Sequence, residues 1–115
     1  MRSLTFLLVA LVACGTEDSR PATVEVISLE ILAPACGAPQ CHSTSTNQSG
    51  YAFDTLAVSK LALKQLVGPG GGGRNKNLME VLTSTSGKLM PPDAPLDPAD
   101  IKLIETWIAN GAQGL

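Results

Sequence analysis

The chain contains the stretch Cys36-Gly37-Ala38-Pro39-Gln40-Cys41-His42, which holds two of its three cysteines and its only histidine. Sulfur and imidazole nitrogen are the protein ligands best suited to soft and borderline metals, and thiols also attach cofactors covalently. We therefore expect the fold to be organised around this short stretch. The rest of the chain should supply the surroundings of these three side chains.

An export signal is predicted at the N-terminus. The positive residue Arg2 precedes an apolar run over residues 4–12 that only Thr5 interrupts. This run is much shorter than the roughly 20 apolar residues that a membrane-spanning helix requires. The pattern therefore indicates a secretory signal rather than a transmembrane segment.

The signal ends in Leu11-Val12-Ala13-Cys14, which resembles the lipobox of bacterial lipoproteins. The resemblance implies removal of residues 1–13 and attachment of lipid to Cys14, which would anchor the chain to a membrane. Since Gly15 rather than Asp follows the cysteine, it also implies the periplasmic side of the outer membrane. The alternative is a hydrophobic N-terminus that packs on the fold.

Charge and motif content narrow the possible partners. Without residues 1–13 the chain keeps seven basic and ten acidic side chains, a net charge of −3. This balance argues against nucleic acid as a partner. The glycine-rich residues 68–75 lack the Lys-Ser/Thr pair of a phosphate-binding loop, so they indicate a surface loop.

The composition predicts a small core that needs support. Beyond the signal the chain has three aromatic residues, Tyr51, Phe53 and Trp107. Small domains of this kind usually need a disulfide, a metal or a cofactor. With Cys14 assigned to lipid, Cys36 and Cys41 remain as a pair in an oxidising compartment, where free thiols rarely persist.

Helical periodicity begins at Val24. We place a tether at residues 14–23 and one domain at residues 24–115. Apolar residues three to four apart predict a first helix that Pro34 ends just before Cys36, although Val26, Ile27 and Ile31 would also suit a strand.

The middle of the chain is predicted as an ambiguous segment followed by a helix. Residues 51–58 are ambiguous: Tyr51, Phe53 and Thr55 alternate as in a short strand, with Phe53 pointing inward. Ser59 is a suitable cap for a helix through Val67. Its buried side is expected to carry Leu61, Leu63 and Leu66.

Two more helices are predicted in the last third, separated by a stiff segment. The first runs from Leu78 to Thr83, and the prolines of residues 88–98 exclude a helix there. Asp97 then caps a final helix that begins at Pro98. The prediction is an all-α domain of three to four helices with long loops.

Two thiols followed directly by an imidazole suit covalent haem, because each thiol can add to a haem vinyl group and the histidine then reaches the iron. From about residue 24 to residue 112 the chain resembles a small class I cytochrome c domain. The matching features are Cys36…Cys41-His42 behind an N-terminal helix, the segment Met90-Pro91-Pro92, and the closing helix with Ile104 and Trp107.

The resemblance implies a ligand set and a function. Cys36 and Cys41 would form the thioether bonds of haem c, His42 would be the proximal iron ligand, and Met90 the distal one. Met79, which lies on a predicted helix, is the less favoured candidate for the distal ligand. The implied function is single-electron transfer with redox partner proteins, not enzymatic turnover, since no nucleophile with its base and no carboxylate pair can be assembled.

The cysteine spacing departs from the family. Four residues separate Cys36 from Cys41 where two are usual, so the spacer must bulge outward, which Gly37 and Pro39 allow. A haem-free helical lipoprotein serving as an interaction module, with a Cys36–Cys41 disulfide, is the alternative. A cytochrome-derived domain that has lost haem is a further one. A closed zinc site is disfavoured because it needs four ligands.

Overall fold

Helices joined by loops make up the part of the chain that the structure, a computed structural model, describes: residues 18–67, 78–85 and 87–115. Within these ranges there are four helices, one single-turn 3₁₀ helix at Gln48–Gly50 and no strand. The prediction of a small all-α domain with three to four helices is confirmed. The signal with Cys14 and the glycine-rich residues 68–75 lie outside the described residues.

The first helix, α1, is continuous and consists of α-helical Val24–Val26, π-helical Ile27–Leu32 and α-helical Ala33–Cys36. The prediction that Pro34 ends this helix was wrong. In the π-helical part the backbone bonds reach five residues back, and the amide of Ala33 donates to the Ser28 carbonyl. Pro34 thus falls in the first turn of the last segment, where a missing N–H is tolerated.

The second helix, α2, spans Leu56–Val67 and begins earlier than predicted. The Thr55 hydroxyl, rather than Ser59, accepts a hydrogen bond at its start, from the amide of Val58 at 3.4 Å. Ser59 is completely buried, and its hydroxyl donates to that of Ser28 in α1 at 3.0 Å. This buried bond joins the two helices.

The buried face of α2 has helical spacing and consists of Ser59, Ala62, Leu63 and Leu66. Leu63 and Leu66 are buried as predicted, but Leu61 is 62% exposed. Two residues along a helix is about 200° of rotation. Leu61, two residues from both Ser59 and Leu63, therefore points away from the core.

The last two helices agree with the prediction: α3 spans Leu78–Thr83, and α4, which spans Pro98–Ala109, begins at the predicted residue. The Asp97 carboxylate caps α4 by accepting from the amide of Ala99 at 2.8 Å. On α4, Ile104 and Trp107 are buried, and the indole of Trp107 donates to the Gln113 carbonyl at 3.0 Å.

A single hydrophobic core lies between the four helices. Helix α1 packs against α2 and α4, and α3 packs against α2 and α4. Phe53 reaches this core from the loop before α2 and is only 4% exposed, as predicted. No candidate transmembrane span occurs among the helices of residues 18–67, 78–85 and 87–115, since none is both long and apolar enough.

The end of the predicted tether lies on the domain. The Arg20 guanidinium binds the carboxylate of Asp100 on α4 at 2.5 Å and that of Asp18 at 2.6 Å. The Thr23 hydroxyl then caps α1 by accepting from the amide of Val26 at 3.3 Å. Residues 18–23 are therefore in contact with the helical domain.

Candidate functional site

The four residues singled out in the sequence line one cavity. Cys36, Cys41, His42 and Met90 border a space of about 280 Å³, together with Ala35, Gln40, Gln48, Pro91 and Pro92. Met90 is far from the other three along the chain. The fold nevertheless places it at the same cavity.

A second, smaller cavity of about 70 Å³ lies on the inner side and shares Cys36, His42 and Met90 with the first. Its other lining residues are mainly apolar: Leu32, Ser49, Tyr51, Phe53, Leu66, Leu78, Val81 and Leu82. The imidazole, one thiol and the thioether therefore lie between an apolar interior and an outer space with more polar walls.

Helix α1 and the turn after it position the two thiols. Cys36 is the last residue of α1, and its carbonyl accepts from the amide of His42 at 3.0 Å. The amide of Cys41 donates to the Ala38 carbonyl at 2.9 Å, which closes a four-residue turn. The turn residues Pro39 and Gln40 are exposed, so the expectation that the spacer bulges outward is confirmed.

The ring of His42 is oriented by the backbone. Its Nδ1 lies 3.2 Å from the carbonyl oxygen of Tyr51. Since a carbonyl can only accept, Nδ1 carries the proton of the neutral ring, and Nε2 is then the nitrogen with the lone pair. The His42 carbonyl accepts from the amide of Phe53 at 2.7 Å, and the Phe53 ring meets the imidazole edge-on at 5.7 Å.

Met90 is held against α3. Its amide donates to the Val81 carbonyl at 2.9 Å, and both residues line the inner cavity. Met79 also belongs to α3, but it packs against the hydrophobic core and lines neither of the two cavities that contain His42. The geometry therefore distinguishes the two methionines.

Both cysteines are free thiols in the structure. Burial raises the pKa of the Cys36 thiol to about 11, and the neighbouring Cys41 adds to the shift. Cys36 is thus protonated at neutral pH. Within the described residues, no three His, Cys, Asp or Glu side chains come together as a group that could hold a metal ion.

Two groups of hydrogen bonds formed by the loop after His42 were not predicted from the sequence. The Asp54 carboxylate accepts from the amide of Thr44 at 3.0 Å and from its hydroxyl at 2.8 Å, and these bonds lower the pKa of Asp54. The hydroxyls of Ser43 and Thr46 both donate to the Pro39 carbonyl. Polar loop composition alone carries no signal for such pairings.

Comparisons of the chain with protein-family models, with curated proteins and with solved structures gave no match. The site itself offers two thiols, an imidazole with a free nitrogen lone pair and a thioether around adjoining cavities. These groups can form covalent bonds to a cofactor edge and coordinate a metal at its centre.

Proposed function

We propose that this chain is a lipid-anchored monohaem c-type cytochrome that carries single electrons between redox partner proteins. The observation that supports the proposal best is the position of Met90, which lines the same cavity as Cys36, Cys41 and His42 although it is distant in sequence. A His-Met pair beside two thiols is the ligand set of such proteins.

The donor set fits haem c. Cys36 and Cys41 would form the thioether bonds, while the free Nε2 of His42 and the sulfur of Met90 would bind the iron. Ligand pockets commonly have volumes of ~300–1,000 Å³, and the outer cavity of about 280 Å³ adjoins a second one. Haem held by these residues would supply a one-electron couple whose potential the thioether of Met90 would raise.

The protein's own contribution is orientation and exclusion of water. The Tyr51 carbonyl accepts a hydrogen bond from Nδ1 of His42, which fixes the rotation of the ring and leaves Nε2 as the nitrogen that would bind iron. Apolar side chains from α1, α2 and α3 line the inner cavity and would shield the inner side of the cofactor from water. The hydrophobic surroundings of a metal site and its fixed ligands control the reduction potential of the metal.

The proposed location follows from the N-terminal sequence. Lipid on Cys14 would hold the domain at the periplasmic side of a bacterial outer membrane, with residues 14–23 as the connecting segment. The net negative charge after removal of the signal supports protein rather than nucleic-acid partners.

Co-expression of the chain with haem-attachment machinery tests the proposal. We expect sharp absorption bands in the reduced protein and a mass increase of one haem, both lost in the matched variant Cys36→Ser/Cys41→Ser. A colourless product that is lighter by two hydrogens would contradict it and favour the haem-free interaction module with a Cys36–Cys41 disulfide.

The lipid anchor is tested separately. Cys14→Ser should move the protein from the membrane fraction to the soluble fraction without changing its spectrum. An unchanged membrane fraction would refute the assignment of Cys14 as the lipidated residue.

A further inference from the structure

The four residues between the cysteines form a closed turn. Its base is joined by the bond from the His42 amide to the Cys36 carbonyl, at 3.0 Å. Above it, the Cys41 amide donates to the Ala38 carbonyl at 2.9 Å. Pro39 occupies the second position of this turn, where its restricted φ is favourable. The extra residues therefore leave Cys36 and His42 adjacent.

The outer part of the turn is held from the following segment. The Pro39 carbonyl accepts from the Ser43 hydroxyl at 3.2 Å and also from the Thr46 hydroxyl. Ser43 is only 5% exposed, and its oxygen also accepts from the Thr46 amide at 3.3 Å. Two hydroxyls thus use both lone pairs of one carbonyl oxygen.

The inner part of the turn is held by close packing at Gly37. A Cβ at this position would lie 2.7 Å from the Ala33 carbonyl oxygen and 3.0 Å from the Cα of Asp54. Only glycine allows the start of the spacer to approach α1 and Asp54 so closely. The spacer is therefore restrained at both of its sides.

We propose that Ser43 and Thr46 are positioning residues that place the Cys41 thiol relative to Cys36. A two-residue spacer fits within one helical turn, so the backbone itself sets the separation of the thiols. A four-residue spacer has additional free dihedral angles, and a free loop would spread Cys41 over many positions. The hydroxyls that hold Pro39 replace the restraint that the helical turn would provide.

This inference rests on the proposed function as far as haem attachment is concerned, but the geometry of the thiol pair can be measured with or without haem. The test variant is Thr46→Val, which removes the hydroxyl from an exposed residue. Thr106→Val is the matched control, because its hydroxyl also donates to a backbone carbonyl, that of Lys102 at 2.9 Å, on α4. Thr46→Ser keeps the hydroxyl and should behave as the wild type.

If the isolated chain carries haem, the readout is the number of thioether bonds. The protein is denatured and treated with iodoacetamide, which labels any cysteine that is not bound to haem, and Cys41 peptides are weighed. We expect a labelled fraction of Cys41 several-fold higher in Thr46→Val than in Thr106→Val. Equal labelling in these two variants would overturn the proposal.

If the isolated chain is haem-free, the readout is binding of phenylarsine oxide to the reduced thiol pair. Each thiol gives up its proton, two arsenic–sulfur bonds form, and the oxygen leaves as water, with no change of oxidation state. We expect about fivefold weaker binding by Thr46→Val, the effect of one lost hydrogen bond. Equal binding by the wild type, Thr46→Val and Ser43→Ala would overturn the positioning role.

The two failures are distinguishable. A haem-free wild-type chain whose arsenic binding still depends on Thr46 contradicts the proposed electron-transfer function and supports the positioning role. The opposite result is a haem-containing chain in which the Thr46→Val variant binds Cys41 to haem as completely as the wild type. It supports the proposed function and contradicts the positioning role. Circular dichroism of each variant verifies that the helices are intact.

Discussion

Helix α4 and the loop over residues 37–54 are organised in different ways. The helix has its cap in the adjacent residue Asp97 and buries Ile104 and Trp107 in the core. The loop instead depends on hydrogen bonds between residues that are distant in sequence, such as Thr44 with Asp54. Local signals and hydrophobic burial therefore account for the helix, whereas specific polar pairings arrange the loop that presents His42.

The comparison predicts that α4 chiefly determines the stability of the domain, whereas the loop over residues 37–54 determines the geometry of the candidate site. Loss of a side chain that α4 buries in the core should destabilise the domain, whereas a change in the loop should leave the helices in place and alter the geometry of the thiols and the imidazole. Four substitutions or conditions test this separation, from the largest expected effect on the free energy of unfolding to the smallest.

Trp107→Ala should destabilise the domain most. Trp107 is 1% exposed, and truncation of a buried tryptophan costs about 3–5 kcal/mol. Urea unfolding followed by circular dichroism measures the loss. The exposed Glu105 on the same helix is the control, because Glu105→Ala should change the free energy by less than about 0.5 kcal/mol. Equal losses of stability in Trp107→Ala and Glu105→Ala would contradict the assignment of α4 to the core.

High pH should destabilise the haem-free, reduced chain through Cys36. Its pKa is raised from 9.0 to about 11 in the fold, chiefly by burial. The unfolded chain therefore loses this proton first, and stability is complete below pH 9 and falls as the pH rises toward 11. The full loss, above pH 11, is about 3 kcal/mol, since the pKa differs by two units and one unit corresponds to about 1.4 kcal/mol.

Comparison with Cys36→Ser isolates this contribution from that of other groups that titrate at high pH. The wild type should lose more stability than the variant between pH 8 and pH 11. An identical pH profile would mean that the Cys36 thiol is not buried in the folded chain.

Met90→Leu should barely change stability but should change the spectrum of the haem-containing protein. Exchange of methionine for leucine of similar volume costs less than about 1.5 kcal/mol. The weak far-red absorption of ferric haem bound by methionine should disappear. Met79→Leu is the control and should retain the band, because Met79 lies outside both cavities. Persistence of the band in Met90→Leu would assign the distal position to another residue.

Asp54→Asn should have the smallest effect on stability and a selective effect on the loop. The hydrogen bonds from Thr44 lower the pKa of Asp54. The ionised carboxylate therefore contributes to the stability of the folded chain above the ordinary pKa of Asp, and this contribution is lost as the pH falls through the lowered pKa. Asp93→Asn, at another exposed carboxylate, is the control. Proton NMR of the His42 ring at neutral pH should change only in Asp54→Asn; an unchanged His42 signal would show that the loop holds its shape without this carboxylate.

Much of the helical structure was predictable because its signals are local. The bounds of α3 and α4 follow from apolar spacing and from Asp97 and Pro98 at the start of α4. The errors occurred where tertiary contacts compete with such signals. Pro34 does not end α1, since the π-helical turn before it moves it into a first-turn position. Ser59 lies inside α2, where its hydroxyl bonds to Ser28 of α1, and the hydroxyl of Thr55 accepts at the start of the helix.

The candidate site shows the same division. Cys36, Cys41, His42 and Met90 were identified from residue type and order, and the structure brings them to one cavity. The Tyr51 carbonyl that orients His42 was not identifiable, because every residue has a carbonyl and its use depends on the path of the chain. The bonds between Thr44 and Asp54 escaped prediction for the same reason.

The sequence by itself determined the chemical inventory of this protein and its helical class. Side-chain chemistry and the helical period depend on residues within a few positions of one another, so both can be deduced without a fold. Only the tertiary structure decided that Met90 lines the same cavity as His42, which nitrogen of His42 faces the Tyr51 carbonyl, and how the four-residue spacer is held. These depend on contacts between distant residues, whose distances and directions exist only once the helices have packed.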